Sequence, residues 1–119
     1  MSSKKIIGNY GEKLALKYLV KNGYNILETH FFGRFGEIDI IATKDGKIHF
    51  IEVKSRTTDF CGSPEEGMTA TKIKRVFKTC SLYIYKKKLQ TDNYQVDLIA
   101  IKIDKDSKKA LIRHYKGIQ

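Results

Sequence analysis

Four charged residues stand among isoleucine, valine and phenylalanine in two neighbouring segments of the chain. The segment "GEIDIIA" carries Glu37 and Asp39, and the segment "FIEVKSR" carries Glu52 and Lys54. Charged groups are costly to bury unless a counter-charge or a metal ion compensates for them. Carboxylates are hard oxygen ligands for Mg²⁺ or Mn²⁺, with water and a substrate phosphate completing the coordination. A lysine ammonium beside them can hold a water molecule or offset charge on the phosphate, so these residues indicate a divalent-metal site.

The turn between the two segments predicts how they pair. Asp45-Gly46 is a two-residue hairpin signal, because both central positions of a type I′ turn adopt a positive φ. With this turn, Lys44 pairs with Lys47, and the pairing continues in regular register along both strands.

In that register the four charged side chains share one face of the hairpin. Asp39 lies opposite Glu52, and Glu37 lies opposite Lys54. Directly opposed like charges destabilise a sheet, so the Asp39–Glu52 pair predicts a shared cation. The alternative is a solvated face with a Glu37–Lys54 ion pair. Against this alternative, the same face also carries large apolar residues: Ile41, Ile48 and Phe50.

The elements that must position these residues follow the order α-β-β-β-α-β-β, which predicts an α/β or α+β sheet with helices packed on it. A first helix is predicted over residues 9–22, with Asn9 as its N-cap and Gly23 as its stop. Residues 1–5 are predicted to be a short frayed leader. A second helix is predicted over residues 70–88, with an apolar stripe at helical spacing. Strands are predicted over residues 24–32, 37–43, 47–55, 94–104 and 110–116, with a loop over residues 57–69.

Composition limits the classes of function. The 119 residues favour a single domain over residues 1–119. Lys and Arg number 23 against 13 Asp and Glu, a net charge of +10, which favours an anionic partner such as nucleic acid. A lysine-rich surface without such a partner is the alternative. Cys61 and Cys80 lack metal-type spacing, and the chain has neither a secretory signal nor a membrane-length apolar run, so a cytoplasmic protein without a membrane partner is predicted.

A set of motifs in fixed order carries a family resemblance over nearly the whole chain: "GNYGEKLALKYLVKNGYNIL", "RFGEIDIIA", "FIEVKSR", "GSPEEGMTATKIKRV" and "YQVDLIAI". This set resembles the YraN-type family of predicted endonucleases in the PD-(D/E)XK, restriction-endonuclease-like superfamily, relatives of archaeal Holliday-junction resolvases. The resemblance implies an αβββαβ core with a mixed central sheet flanked by helices. It also implies a hydrolase, a divalent-metal-dependent endonuclease that acts on DNA, with branched or repair intermediates among the candidate substrates.

The resemblance also assigns roles to individual residues. Asp39, Glu52 and the backbone carbonyl of Val53 would hold Mg²⁺ or Mn²⁺, and Glu12 would complete the metal shell. Lys54 would position the attacking water and stabilise the transition state. The sequence itself supports Glu12 only in part, since a capping box with the predicted N-cap is an equal alternative.

Four basic residues match family positions and are candidates for phosphate contacts. Arg34 and Arg56 flank the two charged strands and could each hold a phosphate through two hydrogen bonds. Lys72 and Arg75 open the second predicted helix, where a backbone phosphate could bind. For each of the four, a solvated side chain is the alternative.

One segment departs from the family pattern, because His30-Phe31-Phe32 stands where an Asn-aromatic-Arg stretch is usual. Substrate contacts near this segment therefore stay open. His30, His49 and His114 have no ligand spacing, and Asp97 is predicted to be structural.

Two main classes of function fit the chain. The first is the metal-dependent nuclease, favoured by the intact Asp39, Glu52 and Lys54 set. The second is a nucleic-acid-binding module that retains a nuclease fold without catalysis. A protein-interaction domain is a third class, which would make the basic charge incidental. A homodimer is the expected assembly if the protein cuts two strands symmetrically.

Overall fold

The computed structural model describes residues 3–59 and 62–119 and contains two long helices and a five-stranded sheet. The elements follow the predicted order, with ends that differ from the prediction by a few residues. In chain order they are α1 (Ser3–Lys21), β1 (Asn25–Gly33), β2 (Gly36–Lys44), β3 (Lys47–Thr57), a 3₁₀ turn (Pro64–Gly67), α2 (Ala70–Lys86), β4 (Tyr94–Ile103) and β5 (Ala110–Tyr115).

The sheet is mixed. Its strands lie in the order β1-β2-β3-β4-β5, and all neighbours are antiparallel except β3 and β4, which are parallel. Parallel neighbours need a long crossover connection, and α2 lies in that connection. The predicted α/β fold, an αβββαβ core followed by one further strand, is confirmed.

Two apolar cores lie on opposite faces of the sheet, one under each helix. On the α1 face, Ala15 and Leu19 pack with strand residues that include Ile40, Ile51 and Ile99. On the α2 face, the predicted stripe of α2 packs with another set of strand residues: Phe31, Ile38, Ile41, Ile48, Phe50 and Val96. Cys80 is a buried free thiol in this second core, and Cys61 lies outside the described residues.

The predicted hairpin register is confirmed at the turn. Asp45 and Gly46 have φ values of 52° and 77°, as a type I′ turn requires. The pairing of β2 with β3 runs from Lys44–Lys47 to Ile40–Ile51 without a shift.

The predicted start of the first helix was wrong. Helix α1 begins at Ser3, so Asn9 lies inside it, and neither the N-cap nor the capping box with Glu12 exists. Of the predicted frayed leader, residues 3–5 are helical, whereas residues 1 and 2 lie outside the described residues. Glycine and asparagine near residue 9 are weak helix formers, which made a later start plausible.

Packing against β3 outweighs that weak local preference. Ser55 donates a hydrogen bond through Oγ to the Ile7 carbonyl, at 3.3 Å. A Cβ atom on Gly11 would lie only 2.5 Å from the same Oγ, so glycine permits the close approach of α1 to β3. At the other end of α1, Gly23 has a φ of 87° and stops the helix, as predicted.

Candidate active site

The predicted site residues lie where β2 and β3 separate. The regular pairing of the two strands reaches Ile40–Ile51, one position before Asp39 and Glu52. There the Val53 backbone N–H donates to Asp39 Oδ2 at 2.8 Å. The Asp39 carboxylate thus accepts the hydrogen bond that a backbone carbonyl of β2 would accept if the regular pairing continued. Beyond this point β2 and β3 separate, and Asp39 and Glu52 lie at the opening.

A cleft of about 530 Å³ lies between this opening and the first half of α2. Its lining brings together most of the predicted site: Glu37, Asp39, Glu52, Val53, Lys54, Lys72 and Arg75. Strands β2 and β3 supply the carboxylates and Lys54, and α2 supplies the two other cations. Thr69 Oγ1 caps α2 by accepting from the Lys72 backbone N–H at 3.2 Å, which fixes where the helix begins at the cleft.

Glu52 is the least satisfied carboxylate of the cleft. The residue is 2% exposed, and its Oε1 atom has no hydrogen-bond partner among the described residues. The other oxygen, Oε2, lies 3.9 Å from Lys72 Nζ. Burial, followed by the nearby charge of Asp39, raises the pKa of Glu52 to about 8. An ionised Glu52 would therefore need a further positive charge beside it.

Burial also acts on the other two charged groups. It raises the pKa of Asp39, although the Val53 N–H opposes this by donating to the ionised form. Burial and the neighbouring Lys72 side chain lower the pKa of Lys54 to about 8. Without a ligand, burial thus disfavours the ionised forms of Asp39 and Glu52 and the protonated form of Lys54. A bound divalent cation would favour the ionised carboxylates again.

Glu12 of α1 is connected to the cleft residue Glu37 by His30, which was not predicted to take part. The imidazole of His30 donates to Glu12 Oε1 from Nε2 at 2.8 Å and to Glu37 Oε1 from Nδ1 at 3.0 Å. Two carboxylate partners require the protonated ring, and the hydrogen bond to Glu37 raises the pKa of His30. Burial raises the pKa of Glu12, with further contributions that include the charge of Asp39. Among the described residues, Glu37 therefore pairs with His30 and not with Lys54.

Sequence reasoning missed the role of His30 because its backbone is unusual. His30 lies within β1 with a φ of 54°, a left-handed conformation that is uncommon for residues other than glycine. In this conformation the His30 ring contacts both Glu12 and Glu37. The departure of His30-Phe31-Phe32 from the family pattern was the one available signal.

The donor atoms fit a divalent cation only if substrate and water contribute. Within residues 3–59 and 62–119, no group of three or more His, Cys, Asp or Glu side chains is arranged to hold a metal ion. Mg²⁺ commonly binds through one or two carboxylates and completes its octahedron with water and phosphate oxygens. Asp39 and Glu52, with the unpartnered Glu52 Oε1, match that smaller requirement.

The structure separates the four predicted phosphate-contact residues. Lys72 and Arg75 line the cleft. Arg56 lines a second cleft of about 480 Å³, which shares Val53 and Lys54 with the first, and its guanidinium donates to the Ser55 carbonyl at 2.9 Å. Arg34 lies in the exposed β1–β2 turn, with its guanidinium carbon 5.5 Å from the centre of the adjacent phenyl ring.

Asp97 belongs to a separate polar cluster in the α1 face of the sheet. It is fully buried and accepts hydrogen bonds from His49, His114, Gln95 and the Gly117 backbone N–H, at 2.7 to 3.0 Å. Burial opposes ionisation, but these hydrogen bonds outweigh it and lower the pKa of Asp97 to about 2. The contacts agree with the structural role predicted for Asp97. The convergence of two histidines on it was not predicted.

The fold and the cleft together define a class: a mixed α/β protein that holds a buried carboxylate, a partly buried carboxylate and a lysine where two central strands separate. The chain belongs to the family described as "Uncharacterised protein family UPF0102", whose sequence model matches residues 11–101. This match covers Glu12, Asp39, Glu52 and Lys54.

Relatives in this family resemble the chain over most of their length. A UPF0102 protein of Clostridium perfringens is 48% identical over 105 residues, which cover 88% of this chain and 86% of the relative. A UPF0102 protein of Clostridium tetani is 47% identical over 100 residues, which cover 84% and 82% of the two chains. One of Persephonella marina is 41% identical over 96 residues, which cover 81% and 83%.

The described part of the chain contains no helix that combines the length and the apolar character needed to cross a membrane.

Proposed function

We propose that this protein is a divalent-metal-dependent endonuclease of the PD-(D/E)XK superfamily that hydrolyses phosphodiester bonds in DNA. The observation that carries the proposal is the state of Glu52. A buried carboxylate oxygen without a partner costs free energy, and here it lies in a cleft with Asp39 and Lys54. A metal ion bound by substrate and carboxylates together would supply the missing contact.

Asp39 and Glu52 are the residues that would hold Mg²⁺ or Mn²⁺, with the Val53 carbonyl as a further oxygen donor. Glu12 lies at the edge of this set, held by His30 at 2.8 Å. When bound, the cation would supply charge neutralisation for the phosphate and activation of water.

Lys54 has the role of a positioning and charge-stabilising group. Because its pKa is lowered to about 8, the Lys54 side chain can gain or lose a proton near neutral pH. In the ammonium form it can donate hydrogen bonds to a water molecule or to a phosphate oxygen on which charge develops. The His30 bridge links Glu12 of α1 to Glu37, which lines the cleft.

Lys72 and Arg75 are placed to bind the DNA backbone. Both line the cleft that contains the carboxylates, and the chain carries a net charge of +10. Phosphate neutralisation by such side chains supplies most of the affinity of non-specific DNA binding. We further propose a cytoplasmic protein that acts as a homodimer when two strands must be cut symmetrically.

One observation favours a second candidate, a nucleic-acid-binding module without catalysis. Among the described residues, no three metal-binding side chains converge, so metal affinity in the absence of DNA would be low. The binding module and the nuclease share the basic cleft and differ in whether a bound phosphodiester is cut.

The deciding experiment is incubation of the purified protein with duplex, nicked, flapped, branched and single-stranded DNA in Mg²⁺, Mn²⁺ or EDTA. The nuclease proposal expects cleavage that requires the metal and is lost in Glu52→Gln. Asp92→Asn is the matched control, because it removes one carboxylate charge from an exposed position in the connection between α2 and β4. Calorimetry with Mn²⁺ on DNA-bound wild type and Glu52→Gln separates metal binding from activity. DNA binding without cleavage of any substrate would favour the binding module.

A further inference from the structure

The turn between β1 and β2 places two phenyl rings beside the candidate active site. We refer to Phe32-Gly33-Arg34-Phe35-Gly36 as the aromatic turn. Phe35 lines the cleft together with Glu37 and Asp39. Phe32 pairs with Glu37 across the two strands, and paired residues of antiparallel strands present their side chains on the same face. Phe35 is therefore part of the cleft lining, and Phe32 lies beside Glu37 on the neighbouring strand.

Both rings are open to solvent despite their size. Phe32 is 69% exposed and Phe35 is 37% exposed. The preceding residue, Phe31, is only 9% exposed and packs edge-on against Tyr83 in the α2 core, with ring centres 5.1 Å apart. The strand thus uses one phenylalanine for the core and presents the next outward. Single exposed apolar residues are common, so exposure alone does not indicate a binding site, and the charges near the rings are the second observation.

Positive charge surrounds Phe35 in the aromatic turn. The Arg34 guanidinium carbon and the Lys78 Nζ atom lie 5.5 Å and 5.2 Å from the centre of the Phe35 ring, within the range of cation–π attraction. Lys72 and Arg75 line the same cleft from α2. Exposed aromatic rings among cations are the combination that binds unpaired nucleic acid, because bases stack on the rings and phosphates contact the cations.

The backbone holds the turn firmly against α2. A Cβ atom on Gly33 would lie 2.7 Å from Leu82 Cδ2, so glycine allows the turn to touch the helix. Gly36 has a φ of 136°, in a region that favours glycine. The backbone that carries both rings is consequently held close to α2 and its basic side chains.

We infer that the aromatic turn stacks on unpaired bases next to the bond that is cut. The preferred substrate class is then DNA with unpaired nucleotides at that point, such as a flap, a bubble or a branch, and not an intact duplex. In a duplex, both faces of each base are covered by its neighbours, so stacking on Phe32 or Phe35 would first require the base to leave the helix. This inference rests on the proposed function and adds a substrate class to it.

The test compares binding of single-stranded, flapped and blunt duplex DNA by fluorescence anisotropy in EDTA, where cleavage cannot interfere. Phe32→Leu and Phe35→Leu should each weaken binding of the two substrates with unpaired nucleotides by about tenfold. Binding of blunt duplex should change by less than about twofold. Tyr85→Leu is the matched control, because Tyr85 is 81% exposed near the far end of α2, and it should change neither affinity.

A second measurement uses the absence of tryptophan from the chain. Phe35→Trp introduces a single indole whose fluorescence should be quenched by single-stranded and flapped DNA and hardly by blunt duplex. Circular dichroism of each variant checks folding, which an exposed ring is not expected to affect. Equal losses on all substrates, no loss at all, or equal quenching by duplex would overturn the inference.

Cleavage of the same substrates in Mg²⁺ keeps this inference apart from the proposed function. If wild type cuts nothing but still binds unpaired DNA through Phe32 and Phe35, hydrolysis is wrong and the stacking inference stands. If wild type cuts duplex as fast as flapped DNA and Phe35→Leu changes neither rate nor affinity, the nuclease stands and the stacking inference is overturned.

Discussion

Two buried carboxylates on neighbouring strands have opposite surroundings. Asp97 of β4 accepts four hydrogen bonds and has its pKa lowered to about 2. Glu52 of β3 is almost as buried, yet one of its oxygens has no partner among the described residues and its pKa is raised to about 8. Asp97 pairs in register with Ile51, so the two carboxylates are one position apart along the sheet and lie on opposite faces.

The difference shows how a sheet can divide structural and functional roles. A buried carboxylate whose two oxygen atoms both accept hydrogen bonds stabilises the fold around it. A buried carboxylate that lacks a partner costs stability, unless a ligand supplies the missing contact. Glu52 meets the second description, and this is the physical basis for proposing the cleft, and not the Asp97 cluster, as the site of catalysis.

The largest expected effect is on catalysis, and it should distinguish the two carboxylates completely. Glu52→Gln keeps the shape but removes a metal-binding charge, and Lys54→Ala removes the ammonium. Each should slow metal-dependent DNA cleavage about 10³-fold or more, and the double variant should be hardly slower than either single one. Asp97→Asn should keep cleavage at temperatures where it remains folded. Rates from gel assays test this, and wild-type cleavage by carefully purified Glu52→Gln would place the site elsewhere.

The same two cleft variants should differ in how they bind DNA without metal. Without metal the pKa of Glu52 is about 8, so Glu52→Gln should leave the affinity in EDTA unchanged below that pH and increase it above, where the substitution removes a negative charge from the path of an incoming phosphate. Lys54→Ala removes a positive charge and should bind more weakly. Gel shifts in EDTA provide the measurement, and a change of the same sign in both variants would argue against a phosphate in this cleft.

The next largest effect is on stability, and it should fall on Asp97. Asp97→Ala leaves one buried and three partly buried donors without their acceptor, so we expect a loss of about 3 kcal/mol in the free energy of unfolding. Glu52→Gln, measured without metal, should lose nothing or gain, because a neutral side chain replaces an ionisable one in a dry site. Urea denaturation in EDTA measures both. A loss below about 1 kcal/mol for Asp97→Ala would mean that the cluster does not hold the fold.

The pH dependence of stability should also have opposite signs. The pKa of Asp97 is lowered to about 2 from 3.8, so its stabilisation of about 2 kcal/mol is present above the unfolded pKa and is lost as the pH falls through about 2. The pKa of Glu52 is raised from 4.5 to about 8, so the folded state loses stability as the pH rises between these values. Urea denaturation against pH in EDTA, for wild type and Glu52→Gln, checks the second trend. A wild-type curve with the same slope as Glu52→Gln between pH 5 and pH 8 would contradict it.

The smallest expected effect concerns the basic side of the cleft. If binding neutralises about five phosphates, log K should fall against log[salt] with a slope of about −4.5. Lys72→Ala and Arg75→Ala should each reduce the slope by about one. Lys108→Ala, at an exposed position between β4 and β5, is the matched control and should leave the slope unchanged. An affinity that is independent of salt would remove nucleic acid as the partner.

Local chemistry made several features readable from the sequence. The Asp45-Gly46 turn determines the hairpin register through the positive φ that both residues adopt. Alternation along β2 and β3 then assigns Asp39 and Glu52 to one side and Ile40 and Ile51 to the other. The apolar stripe of α2 and the stop at Gly23 are equally local, and the structure has both.

Other features could not be read because they depend on contacts between distant segments. Helix α1 continues through the weak helix formers at residues 8 and 9 where it packs closely against Ser55 of β3. The bridge from His30 to Glu12 and Glu37 depends on a left-handed backbone within a strand. No pattern in the sequence of β1 indicates that conformation.

The sequence alone determined the types of the charged residues and the hairpin register from Lys44–Lys47 to Ile40–Ile51, since turn chemistry and strand alternation act between chain neighbours. Only the tertiary structure decided what surrounds each carboxylate. Asp39 takes its hydrogen bond from a residue 14 positions away, and Asp97 takes two from histidines 17 and 48 positions away. Burial and hydrogen-bond partners set a carboxylate's pKa, and packing alone brings such residues within reach. For this reason the sequence could single out both acids, but only the fold separated the carboxylate that accepts four hydrogen bonds from the one with an oxygen that has no partner among the described residues.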